Sequence, residues 1–418
     1  MRIAMFMPSL GPDALGWKVH QDFADAVEEL GHRFLMLTTP RPGGSARGER
    51  DGERRGESGG RDGSIVLLPV GPSSSWLSEL ARPWLRTRQL LPAAGALATW
   101  LRAHGNEVDL LHLEVAYPHG TAGMMGARRA GWRGPVALTP MGEDVLVVRD
   151  RSYGMRRYPL PAALVRRTLR GAAALRCISP MFERHIAALS PHNRRRVIPL
   201  NISAEAAVAA AADAGERERF RAAARAAVDE EFGTAGRPIV LSFGRLHPFK
   251  GIDYLIEAAA TIGDATVLVI GPSATVRPFG DVAESLEKKA REVDVRDKVK
   301  VAGPVHPGRA LEVLAAADVV VVPSPLESLN KVCMEAAAVG TPFVVTATTG
   351  ISAWVPDEGV GLIVPPRNVP AIAWAVEEII SGRFAYDAGA AARFAQRFTP
   401  QRIAAEVMEF YQEVVGLT

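Results

Sequence analysis

The fold of this 418-residue chain is decided by the stretch Pro323-Ser324-Pro325-Leu326-Glu327-Ser328-Leu329-Asn330-Lys331-Val332-Cys333-Met334-Glu335-Ala336. The β-branched run Val319–Val322 precedes it, and helix-forming residues continue from it to Gly340. This pattern predicts a buried parallel strand, a loop and a helix. Because ligands of open α/β sheets bind outside the carboxyl ends of the strands, the loop is a candidate binding site.

Two carboxylates belong to this corner. Glu327 is in the predicted loop and Glu335 is in the predicted helix, on the face that points back toward the loop. The amides of Ser328, Leu329 and Asn330 come at the helix N-terminus, where free N–H groups and the helix dipole attract an anion such as phosphate. Carboxylates repel phosphate but accept hydrogen bonds from hydroxyl groups, so the corner suits a diphosphate with a hydroxylated group on each side. The alternative is a helix-capping Glu327 and a solvated Glu335.

A second motif lies earlier in the chain. The apolar run Ile239–Phe243 predicts a strand that ends at Gly244, followed by Arg245 and, after four further residues, Lys250. Glycine lets the backbone approach a ligand closely. The guanidinium fork and the ammonium group are donors suited to phosphate oxygens. The motif therefore predicts a phosphate clamp, and ordinary surface charges are the alternative.

The first half of the chain alternates short apolar strands with amphipathic helices, which predicts a parallel sheet wrapped by helices. Its last strands are predicted at residues 175–179 and 197–201. Glycine-bearing or polar loops follow several strands and include Gly16, His119 and the run Met141-Gly142-Glu143-Asp144. We expect the later two loops at the carboxyl edge of this sheet, facing the opposite domain.

The pattern Pro-Ser-x-x-Glu-Ser-Leu-x-Lys-Val-x-x-Glu, preceded by Gly-Arg-x4-Lys-Gly, resembles the nucleotide-sugar site of retaining GT-B glycosyltransferases of family 4. The resemblance covers essentially the whole chain; it is strongest over residues 238–366 and weakest over residues 40–101. It implies an α/β fold with two Rossmann-like domains facing across a cleft. The acceptor-side domain would comprise residues 1–203 and a crossover helix at 400–418, and the donor domain residues 204–399.

The resemblance also implies an activity: a sugar moves from a nucleotide diphosphate donor to an acceptor nucleophile with retained anomeric configuration. Arg245, Lys250 and the loop amides would stabilise the departing diphosphate. Glu327 would hold sugar hydroxyls, Glu335 the ribose, and the region of Val305 would pack on the nucleobase. The other implied substrate contacts are Gly16, Met141, Gly142, Glu143, Gly244, Ser328, Leu329, Asn330 and Lys331.

The chain departs from the family pattern at two places. Leu15-Gly16 keeps one of the family's two glycines, and Met141 stands where relatives have a histidine near the transferred sugar. A thioether does not carry a proton, so that role is either absent or supplied by His119, Glu143 or Asp144, of which Asp144 matches the family pattern. Two other readings stay open: a nucleotide-sugar 2-epimerase of the same fold, and a nucleotide-sugar-binding pseudo-enzyme.

The composition and the missing motifs of the sequence exclude several classes of function. A formal net charge of +3 is too small to indicate a nucleic-acid partner. The two cysteines, Cys177 and Cys333, are far apart, which excludes a disulfide framework and a zinc site. The amino terminus is too short for a signal-peptide core and no apolar stretch reaches the length of a membrane span, so we expect a cytoplasmic enzyme. No Asp-x-Asp occurs, so neither a metal nor a cofactor beyond the donor is implied.

Three segments have less definite interpretations. Residues 40–63 carry almost no apolar side chains, which predicts a flexible surface insertion. Residues 76–101 include three tryptophans, and residues 156–170 are rich in arginine. Either segment is compatible with peripheral membrane contact or with an acceptor cover, but a core-facing stripe and a solvated helix face are the simpler interpretations. The acceptor classes that remain open are small molecules and lipid-linked saccharides.

Overall fold

A computed structural model describes residues 1–7, 17–39, 65–68, 90–191, 194–234, 236–355 and 359–416. These residues form two separate parallel sheets covered by helices, which confirms the predicted α/β architecture. Gly16, the predicted insertion at residues 40–63 and the tryptophan-bearing residues 76–89 lie outside the described residues. Within the described ranges, no helix is long and apolar enough to cross a membrane.

The first sheet has seven parallel strands in the order β3-β2-β1-β4-β5-β6-β7. The strands are β1 Arg2–Phe6, β2 Arg33–Thr38, β3 Ile65–Leu67, β4 Leu110–Glu114, β5 Val136–Thr139, β6 Ala174–Cys177 and β7 Arg194–Val197. The helices around them are α1 Trp17–Glu29, α2 Leu90–His104, α3 Thr121–Ala130, α4 Pro159–Gly171 and α5 Pro180–Ala187. The strand order reverses at β1, and such a switch point leaves a crevice at the carboxyl ends of the strands.

The predicted last strand of this sheet is wrong. Strand β7 runs over Arg194–Val197, whereas the apolar residues that follow it, which include Pro199, form a loop. An edge strand has one free side and tolerates charged side chains, so apolar composition is a poor guide to it. The arginine side chains of β7 bond to neighbouring segments of the chain. Arg196 Nη2 donates to Glu413 Oε1 at 2.6 Å, and Arg195 Nη1 donates to the Ser190 carbonyl at 2.8 Å.

The second sheet has six parallel strands in the order β12-β9-β8-β13-β14-β15, with a two-stranded antiparallel ribbon, β10-β11, beside it. Its elements in chain order are α6 Ala204–Ala211, α7 Ala214–Phe232, β8 Ile239–Phe243, α8 Ile252–Ala258, β9 Thr266–Ile270, β10 Thr275–Val276, β11 Gly280–Asp281, α9 Val282–Glu292, β12 Val299–Ala302, α10 Ala310–Ala316, β13 Val319–Val322, α11 Lys331–Ala338, β14 Phe343–Thr346, β15 Gly361–Val364, α12 Val369–Ile380 and α13 Ala388–Gln396. The central strands β8 and β13 are apolar and buried, as expected for a parallel sheet with both faces covered.

The final helix, α14 Pro400–Val415, returns to the first sheet. Its buried Phe410 and Tyr411 join the cluster that includes Ile3 of β1 and Phe23 of α1. The Tyr411 ring also meets the His112 ring of β4 edge-on, with the centroids 5.6 Å apart. Helix α14 therefore completes the core beneath the first sheet.

Hydrogen bonds between the two halves hold the carboxyl edges of the sheets face to face. Ser328 Oγ, beyond β13, donates to the Met141 carbonyl at 2.8 Å, and Ser179 Oγ, beyond β6, donates to the Ser328 carbonyl at 2.6 Å. Arg151 pairs with Asp253 at 2.8 Å. The loops that follow the strands of both sheets consequently border one cleft.

Candidate active site

The loop between β13 and α11 is organised by Asn330. Its Oδ1 accepts a hydrogen bond from the Cys333 amide at 3.2 Å and so caps α11, while its Nδ2 donates to Glu327 Oε2 at 3.1 Å. One amide side chain thus starts the helix and orients the carboxylate that sequence reasoning singled out. The positive φ of 92° at Asn330 is a conformation that asparagine adopts more readily than most residues.

Glu327 lies at the centre of a hydrogen-bond network. Lys250 Nζ donates to its Oε1 at 2.5 Å, and Ser324 Oγ donates to its Oε2 at 2.9 Å. The side chains of Lys250 and Glu327 are only 22 % and 13 % exposed. Burial favours the neutral carboxyl, but the Lys250 charge and the hydrogen bonds from Lys250, Asn330 and Ser324 outweigh it, so the pKa of Glu327 is below its ordinary value. Glu327 is therefore ionised at neutral pH.

The phosphate-clamp motif meets this network. Gly244, Arg245, Lys250, Ser324 and Asn330 line one concave site at the carboxyl ends of β8 and β13. Arg245 is exposed, with its guanidinium carbon 5.9 Å from the centre of the Phe249 ring. Two positive side chains therefore line this site, and Lys250 joins it to Glu327 through their ion pair. A guanidinium and an ammonium group are donors suited to diphosphate oxygens.

Gly251 explains how Lys250 reaches Glu327. It has a φ of 67°, and a Cβ at this position would lie 2.5 Å from the Pro323 carbonyl oxygen. Only glycine allows the turn after Lys250 to pack so closely against the end of β13. Next to it, burial and the charges of Arg245 and Lys250 lower the pKa of His247 to about 4. His247 therefore adds no charge to the clamp at neutral pH.

The amides before α11 are placed as the sequence predicted. Within the described part of the chain, the N–H groups of Ser328, Leu329 and Asn330 donate no hydrogen bond. The Leu329 side chain is buried, so this residue has only backbone to offer a ligand. Its carbonyl accepts from the Ile351 amide at 3.0 Å, which fixes the loop.

Glu335 and Val305 border the site from further away. Glu335 lies one turn beyond Lys331 on α11 and is half-buried; burial raises its pKa, and the Lys331 charge opposes the rise. Val305 is half-buried in the loop after β12, two strands from β8. No recorded contact among the described residues joins either side chain to Arg245, Lys250 or Glu327. Their assignments to ribose and nucleobase stay predictions.

Asp144 is buried and bonded to backbone amides, and its expected part in the chemistry stays a prediction. It is 1 % exposed, and its carboxylate accepts hydrogen bonds from the amides of Ala116 at 2.5 Å, Gly142 at 2.8 Å and Met141 at 3.2 Å. A short carboxylate surrounded by backbone donors shapes the loop. Asp144 is therefore a positioning residue that sets where Met141 and Gly142 lie.

Substitution of Asp144 by Asn tests this positioning role. The amide would direct N–H groups at backbone N–H groups, so we expect the free energy of unfolding to fall by about 1–3 kcal/mol. Chemical denaturation measures the change. The matched control is Asp297→Asn, whose carboxylate is 98 % exposed and should give no measurable change. Equal stability of the two variants would remove the positioning role.

The first domain contributes backbone and an aromatic ring to the cleft. A Cβ on Gly142, which has a φ of 142°, would lie 2.8 Å from Ser328 Oγ, so the two domains approach closely here. Tyr153 is buried, and its ring stacks on that of Phe249 with 3.9 Å between the centroids. Sequence reasoning missed Tyr153, because its place depends on how the two domains meet.

His119 and Glu143 lie in the loops that follow β4 and β5. The Glu143 side chain is half-buried, and its carbonyl accepts from the Met155 amide at 2.8 Å. His119 lies in the turn after β4, with its ring 6.4 Å from that of Phe6. Their expected parts in the chemistry stay predictions.

A second cavity, of about 310 Å³, lies between the domains and was also missed. We call it the inner cavity. Its polar lining residues are His20, His112, Glu114, Thr139, Arg176, Asn201 and Lys331, and its apolar lining residues are Met5, Val19, Phe23, Val115, Met141 and Leu200. A signal for it exists in the sequence. His112 and Glu114 interrupt the apolar strand β4, and Arg176 interrupts β6, although burying a polar group is costly unless it is hydrogen-bonded.

Comparison with known proteins agrees with the motifs. Two family models match consecutive parts of the chain: one described as "Glycosyl transferase 4-like domain" over residues 16–201, and one described as "Glycosyl transferases group 1" over residues 225–397. The boundary between the matches falls within α6 and α7, close to the change from one sheet to the other.

The curated relatives include D-inositol 3-phosphate glycosyltransferase from Mycobacteroides abscessus, which is 32% identical over 194 residues, covering 46% of this chain and 43% of that protein. Alpha-D-kanosaminyltransferase from Streptomyces kanamyceticus is 33% identical over 161 residues, covering 38% of this chain and 40% of that protein. The alignments span about half the length of the curated relatives or less.

Solved structures match over the whole chain. Sucrose-phosphate synthase from Thermosynechococcus elongatus has a TM-score of 0.73 at 21% identity and covers 99% of this chain and 100% of that one. Anabaena HepE in complex with UDP-glucose has a TM-score of 0.68 at 17% identity and covers 98% of this chain and 99% of that one. At these identities the likeness extends to the fold.

Proposed function

The chain belongs to the group 1 glycosyltransferases with the GT-B fold, and on that premise we propose that it transfers a sugar from a nucleotide diphosphate sugar to an acceptor hydroxyl with retained anomeric configuration. The observation that supports this most is that Arg245 and Lys250 line one concave site and that Lys250 also pairs with Glu327. The UDP-glucose complex of HepE makes a UDP-sugar the first donor to try. The inositol-phosphate relatives make a polyol phosphate the first acceptor.

The costly step is breakage of the bond between the anomeric carbon and the diphosphate oxygen. Negative charge grows on the departing diphosphate, and Arg245, Lys250 and the amides of Ser328, Leu329 and Asn330 stabilise it. A single preorganised donor of this kind contributes about 3 kcal/mol to the transition state. The acceptor oxygen forms the new bond on the face that the diphosphate leaves, and the acceptor proton passes to a diphosphate oxygen.

Glu327 links the diphosphate to the sugar. One oxygen pairs with Lys250, and its network of three donors fixes the carboxylate. A carboxylate has about four lone-pair sites, so about one remains to accept a hydrogen bond from a hydroxyl of the transferred sugar. Glu335 would take the ribose hydroxyls in the same way.

A nucleotide-sugar 2-epimerase is the second candidate, and the inner cavity favours transfer over epimerisation. The cavity adjoins α11 through Lys331 and provides room for an acceptor that an epimerase does not use. Incubation with the donor alone separates the two: a 2-epimer of the donor would show the epimerase, and slow hydrolysis would fit a transferase. A nucleotide-sugar-binding pseudo-enzyme, the remaining alternative, would bind the donor and release no product with any acceptor.

Removal of divalent metal gives a further expected result. Because Arg245 and Lys250 supply the positive charge that a metal ion provides in other transferases, we expect turnover in 5–10 mM EDTA to stay within about twofold of that with Mg²⁺. A coupled assay of released nucleotide diphosphate measures it, with a Mg²⁺-dependent kinase as the control for effective chelation. Loss of turnover that returns with Mg²⁺ would overturn the metal-independent mechanism.

Thermal stabilisation tests the proposed function. A ligand that binds the native chain raises its melting temperature, so UDP-, GDP-, ADP- and dTDP-sugars are compared at equal concentration. The nucleotide sugar that stabilises the chain most is then incubated with candidate acceptors, and the product is identified by mass and by the configuration of its anomeric proton. A chain that no nucleotide sugar stabilises or that yields no glycosylated product would overturn the proposal.

A further inference from the structure

A tight turn between β5 and α4 carries four consecutive side chains to the second domain. The amides of Val148 and Tyr153 each donate to the other residue's carbonyl at 3.1 Å, which closes the turn. Gly154 follows with a φ of 100°, and a Cβ at this position would collide with the Leu146 carbonyl. The backbone therefore fixes the direction of the side chains of residues 150–153, which we call the interdomain turn.

The polar residues of the interdomain turn bond three separate segments of the second domain. The contacts join Arg151 to Asp253 of α8 at 2.8 Å, Ser152 to the Arg277 carbonyl at 2.8 Å, and Asp150 to Arg367 at 2.6 Å. The Arg151 guanidinium also lies over the Tyr254 ring, 4.7 Å from its centre. These contacts hold Tyr153, the last residue of the turn, against the second domain.

Tyr153 contacts the second domain through its ring. The ring stacks on that of Phe249, with 3.9 Å between the centroids and 22° between the planes, and it meets the His247 ring edge-on at 5.9 Å. Tyr153 and Phe249 are both buried. Burial raises the pKa of the Tyr153 hydroxyl well above its ordinary value, and the Glu143 charge adds to the rise. The hydroxyl therefore keeps its proton at neutral pH, and the ring is the part of the side chain that supports Phe249.

Phe249 in turn supports both cations of the phosphate clamp. Lys250 Nζ lies 5.0 Å from the centre of the Phe249 ring and the Arg245 guanidinium carbon lies 5.9 Å from it, within the distance at which an aromatic ring attracts a cation. An aromatic pair is stabilising beyond the area that it buries, so Tyr153 restrains the Phe249 ring. One buried ring therefore connects the first domain to the two positive side chains that the second domain offers to a diphosphate.

The hydroxyl end of Tyr153 lies where the two domains touch. A Cβ on Gly142 would lie 3.3 Å from the Tyr153 hydroxyl oxygen and 2.8 Å from Ser328 Oγ. Ser328 belongs to the loop before α11, and its Oγ donates to the Met141 carbonyl at 2.8 Å. The ring stack and the loop before α11 are thus held by the same contact between the domains.

From these contacts we propose that Tyr153 of the first domain is a positioning residue for the phosphate clamp of the second domain, and that it acts through the Phe249 ring on Arg245 and Lys250. The inference rests on the proposed function and adds a residue to it. The clamp motif alone binds a diphosphate weakly, and full affinity requires the domains to be in contact through the interdomain turn. The alternative is a structural role in which Tyr153 only fills the interface.

The affinity for UDP tests the positioning role without turnover. Tyr153→Met fills a similar volume without a ring, whereas Tyr153→Phe keeps the ring and loses only the hydroxyl. By calorimetric titration we expect a Kd about five- to tenfold higher for Tyr153→Met, and one within about twofold of the wild type for Tyr153→Phe. The probe is UDP, or the diphosphate of another base if the nucleotide-sugar screen selects it.

An exposed aromatic residue provides the control for this titration. Trp374→Leu changes a side chain of α12 that is 55 % exposed, and it should bind UDP as the wild type does. A lower melting temperature of Tyr153→Met together with an unchanged Kd would show that Tyr153 only packs the interface, and the proposal would be overturned.

A double-mutant cycle tests whether Tyr153 acts through Phe249. If it does, Phe249→Leu already removes the effect of Tyr153, so adding Tyr153→Met should leave the Kd for UDP within about twofold of that of Phe249→Leu alone. Independent contributions would multiply the two increases in Kd, and that result would contradict the proposed route.

A structure of the wild-type chain with UDP decides the question even if the variants fail to fold. We expect the Phe249 ring to stay stacked on Tyr153 while Arg245 and Lys250 contact the diphosphate. A Phe249 ring that leaves Tyr153 when UDP binds would overturn the positioning role.

The failures of the two proposals are distinguishable. If the wild-type chain binds no nucleotide sugar and no nucleoside diphosphate, the proposed function fails, and the role of Tyr153 fails with it. If the wild-type chain binds UDP and transfers a sugar while Tyr153→Met binds UDP equally well, the function stands and Tyr153 does not position the clamp.

Discussion

Replacement of Lys250 by Met is expected to lower kcat/KM for the nucleotide sugar by about two to three powers of ten, the usual effect of removing one preorganised donor from a developing anion. Lys250 is the side chain that joins the two motifs, because its ammonium pairs with Glu327 at 2.5 Å and it lines the same pocket as Arg245. A coupled assay of released nucleotide diphosphate, at several donor concentrations, measures the loss.

The same change removes the partner of a buried carboxylate, so it also threatens stability. Breaking a buried ion pair from one side costs about 3–5 kcal/mol, because the remaining charge is left uncompensated. The double variant Lys250→Met with Glu327→Gln removes both charges and should recover much of the lost melting temperature while staying inactive. Lys288→Met, whose side chain is 73 % exposed, is the control. Activity that recovers together with stability would show that Lys250 is structural.

Glu327→Gln alone is expected to lower kcat about tenfold to a hundredfold, since a hydrogen bond to a charged group contributes about 1.5–3 kcal/mol. The carboxylate holds the transferred sugar, whereas the diphosphate binds Lys250 and Arg245. We therefore expect the affinity for UDP to stay unchanged or rise, because Lys250 is no longer shared with Glu327. Calorimetric titration with UDP and steady-state kinetics measure the two quantities separately. A loss of UDP affinity as large as the loss of kcat would contradict this division.

The same variant makes a pH-dependent effect visible. The pKa of Glu327 in the folded chain is below its ordinary value of 4.5, so the folded state binds this proton less readily than the unfolded state. The contribution of Glu327 to stability is therefore complete above pH 4.5 and is lost as the pH falls through the lower, folded-state pKa. The wild-type melting temperature should decline below pH 4.5 more steeply than that of Glu327→Gln. Glu287→Gln, an exposed pair member, is the control and should follow the wild type.

The local sequence pattern was enough to predict the two loops of the second domain that form the candidate site. Runs such as Val319–Val322 and Ile239–Phe243 are strands because β-branched residues fit a sheet buried on both faces, and the residues after them must lie at its carboxyl edge. Since both strands belong to one parallel sheet, Lys250 and Glu327 had to share that edge, 77 residues apart in sequence.

The orientation of side chains and the contacts between the two domains could not be predicted from local sequence pattern. The sequence places Asp144 in a loop, but the three amides that turn its carboxylate inward include one from Ala116, in a different loop. Tyr153 reaches Phe249 only across the interface. The inner cavity draws on α1, β4, β6 and α11, which no local pattern brings together.

The most direct measurement is a structure of the chain with a nucleotide diphosphate sugar bound. We expect the diphosphate oxygens within hydrogen-bond distance of Arg245, Lys250 and the amides before α11, and the sugar hydroxyls at Glu327, with the anomeric carbon facing the inner cavity. A diphosphate bound elsewhere, with Lys250 and Glu327 still paired and untouched by the ligand, would contradict the proposed active site.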